Sequence, residues 1–176
     1  MSRVKFTEKI RYLFIRIKYK NRIQFANHAI IQNNVLIRVR ENGTIKFGKR
    51  PSISANSMLS ATNGVLEIGD NVFFNRNCNI CCRLSVHIGN NCIFGPNCCV
   101  FDHDHLIENK VVKKNEYSVS QISIGEGTWI GAGVIILKGA HIGNGCVIGA
   151  GCIVKGDIPD YSIVTSNRDL IIKDLY

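Results

Sequence analysis

Large apolar residues recur every sixth position over most of the chain. They lead successive hexapeptides at Phe47, Ile53 and Leu59, then at Ile68, Phe74 and Ile80, then at Ile88, Phe94 and Val100. After a gap the count resumes at Ile124, Ile130, Ile136, Ile142, Ile148 and Val154. All fifteen leads are aliphatic or Phe and eight are followed by Gly, so the period belongs to the fold rather than to composition. Side chains alternate along a strand, which turns the fifth position of each hexapeptide inward as well, where converging walls leave room only for a small residue. Ser57, Val72, Cys78, Cys92, Cys98, Thr128, Val134, Ala140, Cys146 and Cys152 meet that requirement. Short strands turning every six residues, three to a circuit, predict a triangular prism whose coils stack about 4.8 Å apart. Cys78, Cys98, Val134 and Cys152 then form one internal column.

The N-terminal residues follow another period. Phe6, Ile10, Leu13, Phe14 and Ile17 fall on one face of a helix, which predicts an amphipathic helical segment over 1–32, a prism over 33–165 and a tail over 166–176. Charge sharpens this division. Of the 22 Lys and Arg, 13 lie in residues 1–50 against only Glu8 and Glu41, while the rest of the chain carries 9 basic and 11 acidic residues. The interleaving of cations with the apolar stripe predicts a helix packed on its own domain or on a neighbouring subunit. Peripheral contact with an anionic membrane surface is a second reading. No nucleic-acid motif accompanies the charge, so nucleic acid is not expected as a partner. Apolar runs are too short to span a bilayer and cations interrupt the region where a signal peptide would be apolar, which predicts a cytoplasmic protein.

The period also disposes of the eight cysteines. Cys78 and Cys81 spell C-x-x-C, but Cys78, Cys92, Cys98, Cys146 and Cys152 occupy the small inward phase, so they are expected as core filler in a reducing compartment rather than as disulfides or metal ligands.

The count breaks at residues 106–121, LIENKVVKKNEYSVSQ, which predicts an extended loop projecting as an arm. The hexapeptide before it is Val100-Phe101-Asp102-His103-Asp104-His105. By phase Val100 points inward, Asp102 and His103 lie at the turn, Asp104 leans inward and His105 faces outward at the root of the arm. An imidazole beside a carboxylate, placed at a mobile edge, suits general-base chemistry.

The count of six resembles the left-handed parallel β-helix of the hexapeptide-repeat acetyltransferases over about residues 33–165. The left hand comes from that resemblance, because the usual crossover rule favours the opposite one. The family's galactoside and maltose acetyltransferases place a general-base histidine at the sixth position of the hexapeptide before the extended loop, where this chain has His105. The FDHDH sequence looks like polysaccharide O-acetyltransferases, in which His103 is the alternative base. Asn75 matches the family's acceptor-binding asparagine. Cys82 and Arg83 stand where a carboxylate is expected. Trp129 matches a tryptophan lining the site. Gly131, Ala132, Ala150 and Gly151 match backbone stretches along the coenzyme, and Lys155, Arg168 and Lys173 are candidate phosphate contacts.

The resemblance thus implies acetyl-CoA as cosubstrate, a sugar or glycan hydroxyl as acceptor, no metal, and a homotrimer with sites between subunits. An amino-sugar N-acetyltransferase is the close alternative. A γ-type carbonic anhydrase using His103, His105 and His141, and a non-catalytic scaffold, are more distant ones.

Overall fold

The computed structural model describes residues 6–166. Arg168 and Lys173 lie outside the described residues. Three parallel sheets of seven, seven and six strands form the sides of a triangular prism, the left-handed parallel β-helix expected from the sequence. The chain visits the first, second and third face in turn. One circuit runs through Ser85–Ile88, Ile93–Phe94 and Cys99–Phe101. Every hexapeptide lead is buried, as is every small residue named for the fifth position. Cys99 aligns with Asn79 on one side and Ile135 on the other, so the neighbouring Cys78, Cys98 and Val134 stack as the period requires. All eight cysteines are free, and burial pushes the Cys82 and Cys92 thiols up, away from the reactive thiolate.

The turns need a left-handed backbone, and the chain meets that need in two ways. Early coils use Asn71, Asn77, Asn91 and Asn97, with φ of 56–61°, and later coils use glycines such as Gly127 and Gly133. The asparagines also bond between coils: Asn71 donates to Asn91 and Asn77 to Asn97, each at 3.0 Å.

Two expectations change. The prism starts earlier than residue 33, because Ile23–Phe25 already pairs with Thr44–Phe47 on the first face, and Ile30–Ile31 with Ser52–Ile53 on the second. The helix, Phe6–Tyr19, closes that end of the solenoid with the face opposite to the predicted stripe. Tyr12, Ile15 and Tyr19 pack on the core, with Tyr12 edge-on to Phe25 at 5.0 Å, while Ile10, Leu13, Phe14 and Ile17 are all about half exposed or more.

The interruption is an ordered antiparallel hairpin, His103–Glu108 with Val111–Val119. Asn109 and Lys110 both have positive φ, which gives the two-residue turn a twist matching its strands. The hairpin begins at His103, three residues before the count stops.

Candidate active site

The site grows from the corner between the third and first faces, where Cys99–Phe101 ends and the hairpin leaves the prism. Asp102 is fully buried there, inside the corner rather than on a turn surface. It survives burial because the preceding coil turns three backbone N–H groups toward it: Arg83, Leu84 and Ser85 donate at 2.8, 2.7 and 3.0 Å. Nδ1 of His103 lies 3.0 Å from its Oδ1. Burial works against ionisation of Asp102, but the bonds from His103 and from the Leu84 and Arg83 N–H groups outweigh it and hold the carboxyl below its ordinary value. A carboxylate can only accept, so Nδ1 of His103 carries the hydrogen, and in the neutral tautomer the lone pair is on Nε2.

His103 is mostly enclosed, its side chain 18% exposed, with Phe101 and Tyr117 edge-on at 6.3 and 5.5 Å. His105 lies two residues along the same strand and is exposed. Its Nδ1 donates to the Lys113 carbonyl at 3.1 Å, and its ring lies 4.9 Å from Tyr117. Asp104 does not lean inward. The hairpin has already left the prism's alternation, so the carboxylate is exposed and pairs with Lys138 at 3.0 Å. Lys138 also donates to Ser118 at 2.8 Å and so ties both hairpin strands to the next coil.

Sequence reasoning missed Tyr117 and undervalued Arg83. The Arg83 guanidinium lies 3.4 Å from the centroid of the Tyr117 ring, on which it stacks. Arg83 and His103 line a cleft of about 200 Å³ with Arg38, Arg40, Ser60 and Thr62. The usable signal was Arg83 itself, standing where the resembling family has a carboxylate. His141 does not join the histidines of the hairpin: it sits on the first face, bonded to Ser123 at 2.9 Å. Among the described residues no three His, Cys, Asp or Glu side chains form a group able to hold a metal ion.

Five of the other candidates occupy a different corner. Asn75 follows Phe73–Phe74 at the turn from the second to the third face, and its side chain caps the Arg76 N–H at 2.8 Å. Gly131, Ala132, Ala150 and Gly151 stack at the same corner in later coils, where Gly131 N donates to Ile148 O and Gly151 N to Ala132 O. A Cβ on Gly131 would meet Ala150 N at 2.7 Å, so the coils touch there through backbone alone, flanked by the exposed methyls of Ala132 and Ala150. This lane of small residues could hold an extended chain such as pantetheine. Lys155 is exposed on the third-to-first corner, two coils beyond His103. Trp129 projects from the second face, 54% exposed, in an outward column with Ile93, Val147 and Ile163. One chain therefore keeps His103 and this lane of small residues one face apart.

Comparison with known proteins agrees with this architecture. Residues 121–156 match the family described as bacterial transferase hexapeptide (six repeats). A probable acetyltransferase of Mycobacterium tuberculosis is 32% identical over 136 residues, which are 76% of this chain and 45% of that protein. A protein of Escherichia coli strain K12, named as a lipopolysaccharide biosynthesis O-acetyl transferase, is 30% identical over 162 residues, 86% of this chain and 82% of its own length. Among solved structures, a mutant N-acyltransferase from Bacillus cereus in complex with dTDP and coenzyme A superposes with a TM-score of 0.67 at 16% identity, covering 80% of this chain and 77% of that one. The fold and its interrupted coil define a hexapeptide-repeat solenoid of the transferase type. The chain belongs to the bacterial hexapeptide transferase family. It spans less than half the length of the mycobacterial relative.

Proposed function

We propose that this protein transfers an acetyl group from acetyl-CoA to a hydroxyl of a sugar, with His103 as general base. The observation that carries this reading is the buried, triply bonded Asp102 aimed at Nδ1 of His103. Acetyl-CoA, when bound, supplies an already activated thioester, so the protein's own task is to orient the acceptor and remove its proton. Nε2 of His103 takes the hydroxyl proton as the oxygen attacks, and Asp102 holds the ring in place and stabilises the imidazolium that results. His105, hydrogen-bonded to a carbonyl rather than a carboxylate and open to water, supports Tyr117. The lane at Gly131, Ala132, Ala150 and Gly151 would hold the pantetheine arm, with Lys155 near the phosphates and Asn75 and Trp129 beside the acceptor.

The separation of His103 from that lane supports a homotrimer in which neighbouring copies complete each site. Exposed apolar residues on the second face, Ile93, Trp129 and Ile163, and on the hairpin, Ile107, Val111 and Val112, give such copies surfaces to bury. The relative named as an O-acetyl transferase supports oxygen over nitrogen as the acceptor atom.

The test is coenzyme A thiol released from acetyl-CoA in the presence of neutral sugars, amino sugars and nucleotide sugars. Release that depends on a hydroxyl-bearing sugar is expected. Release only with amino sugars would move the chain to the N-acetyl class, and no release above hydrolysis with any acceptor would overturn the reading.

A further inference from the structure

We propose that the cleft beside His103 binds a glycosyl phosphate or diphosphate, so that the acceptor is an anionic, activated sugar rather than a neutral one. This rests on the acyltransferase reading for what happens to the sugar, but not for its binding. Arg38, Arg40 and Arg83 line the cleft together with His103. Among the described residues none of the three guanidinium groups pairs with a carboxylate. Glu41, adjacent to Arg40, is bonded by Asn63 instead, Asp104 is held by Lys138, and Asp102 is buried behind His103. Three unneutralised guanidinium groups around one cleft repel one another, and an anion placed among them removes that cost. Arginine is also the side chain whose planar fork grips phosphate oxygens two at a time.

The spacing suits a sugar carrying phosphate at one end. Arg38 pairs with Ser60, Ser60 with Cys81 and Cys81 with Phe101, so three strand spacings of about 4.8 Å separate Arg38 from the strand that delivers His103. Arg83 follows Asn79–Cys82, a strand that lies between these two in the sheet, and its guanidinium stacks on Tyr117. The first phosphate falls to Arg83 and a second to Arg38 and Arg40, while a ring hydroxyl meets His103.

Calorimetric titration of the full chain with glucose, UDP-glucose and a citronellyl diphosphate glucose tests this. At least one diphosphate is expected to bind about tenfold or more tightly than glucose, and the tighter of the two tells whether the natural carrier is a nucleotide or a lipid. In an Arg38→Ala, Arg40→Ala variant the preference should fall below about threefold. Both side chains are exposed, so the melting temperature should not move. A His103→Ala variant should keep the full preference, which separates failure of this proposal from failure of the base assignment. Equal affinity for glucose and both diphosphates, or a preference untouched by the double substitution, overturns the proposal.

Discussion

Replacing His103 by Ala is expected to lower kcat for thioester-dependent transfer by about 10²- to 10⁴-fold, the usual worth of a positioned general base. KM for acetyl-CoA should stay nearly constant, because Nε2 contributes to the transition state and not to coenzyme binding. His105→Ala should lose less than about tenfold. Its ring is exposed and bonded to the Lys113 carbonyl, so the variant removes a support for Tyr117 rather than the proton acceptor. Steady-state kinetics on both variants decide the matter. The reverse ranking, with His105→Ala the more damaging, would return the role of base to the residue that family resemblance favours.

Asp102→Ala should be the most destabilising substitution in the corner. It strands the N–H groups of Arg83, Leu84 and Ser85 in a buried turn and removes the partner of His103. Losing one side of a buried charged network costs about 3–5 kcal/mol, which for a chain of this size lowers Tm by about 6–20 °C. Asp102→Asn keeps one acceptor oxygen and should lose less stability, yet it no longer offers a negative charge to the imidazolium and should lose activity beyond its change in Tm.

The acid dependence follows the sign of the shift. Because the folded-state value of Asp102 is depressed, its stabilisation is fully present above the unfolded value of about 3.9 and disappears as pH falls through the lower folded value. Hydrogen exchange should therefore show the Arg83–Ser85 turn and the hairpin root opening first below about pH 4. A wild-type melting temperature for Asp102→Ala would show that the three N–H groups find other acceptors.

The prism was legible because its period fixes which residue points inward, and one misplacement would bury a charge; Cys78 and Cys98 could be placed by phase alone. The first coil was legible in principle, since Phe25, Ile31 and Ile37 also stand six apart, but Ala, Gln and Arg follow them where Gly follows later leads. The helix was legible as amphipathic, though its apolar stripe faces away from the core. Tyr12 and Tyr19 pack instead, and their mixed character hid that face from a count of aliphatic residues.

At the corner the histidines could be found and not ranked. Asp102 looks like a turn residue in sequence, because the N–H groups that make it a buried anion come from residues 17 to 19 positions earlier. The start of the hairpin at His103 likewise depends on pairing with Val119, across the whole arm.

The most direct measurement is a crystal structure of the full chain with coenzyme A. The account predicts the pantetheine lying between two copies, along the Gly131 and Ala150 lane of one, with its sulfur within about 6 Å of Nε2 of His103 in the next, room for one hydroxyl at reacting distance from both. A sulfur beside His105, or more than about 10 Å from His103 in every copy, would contradict it.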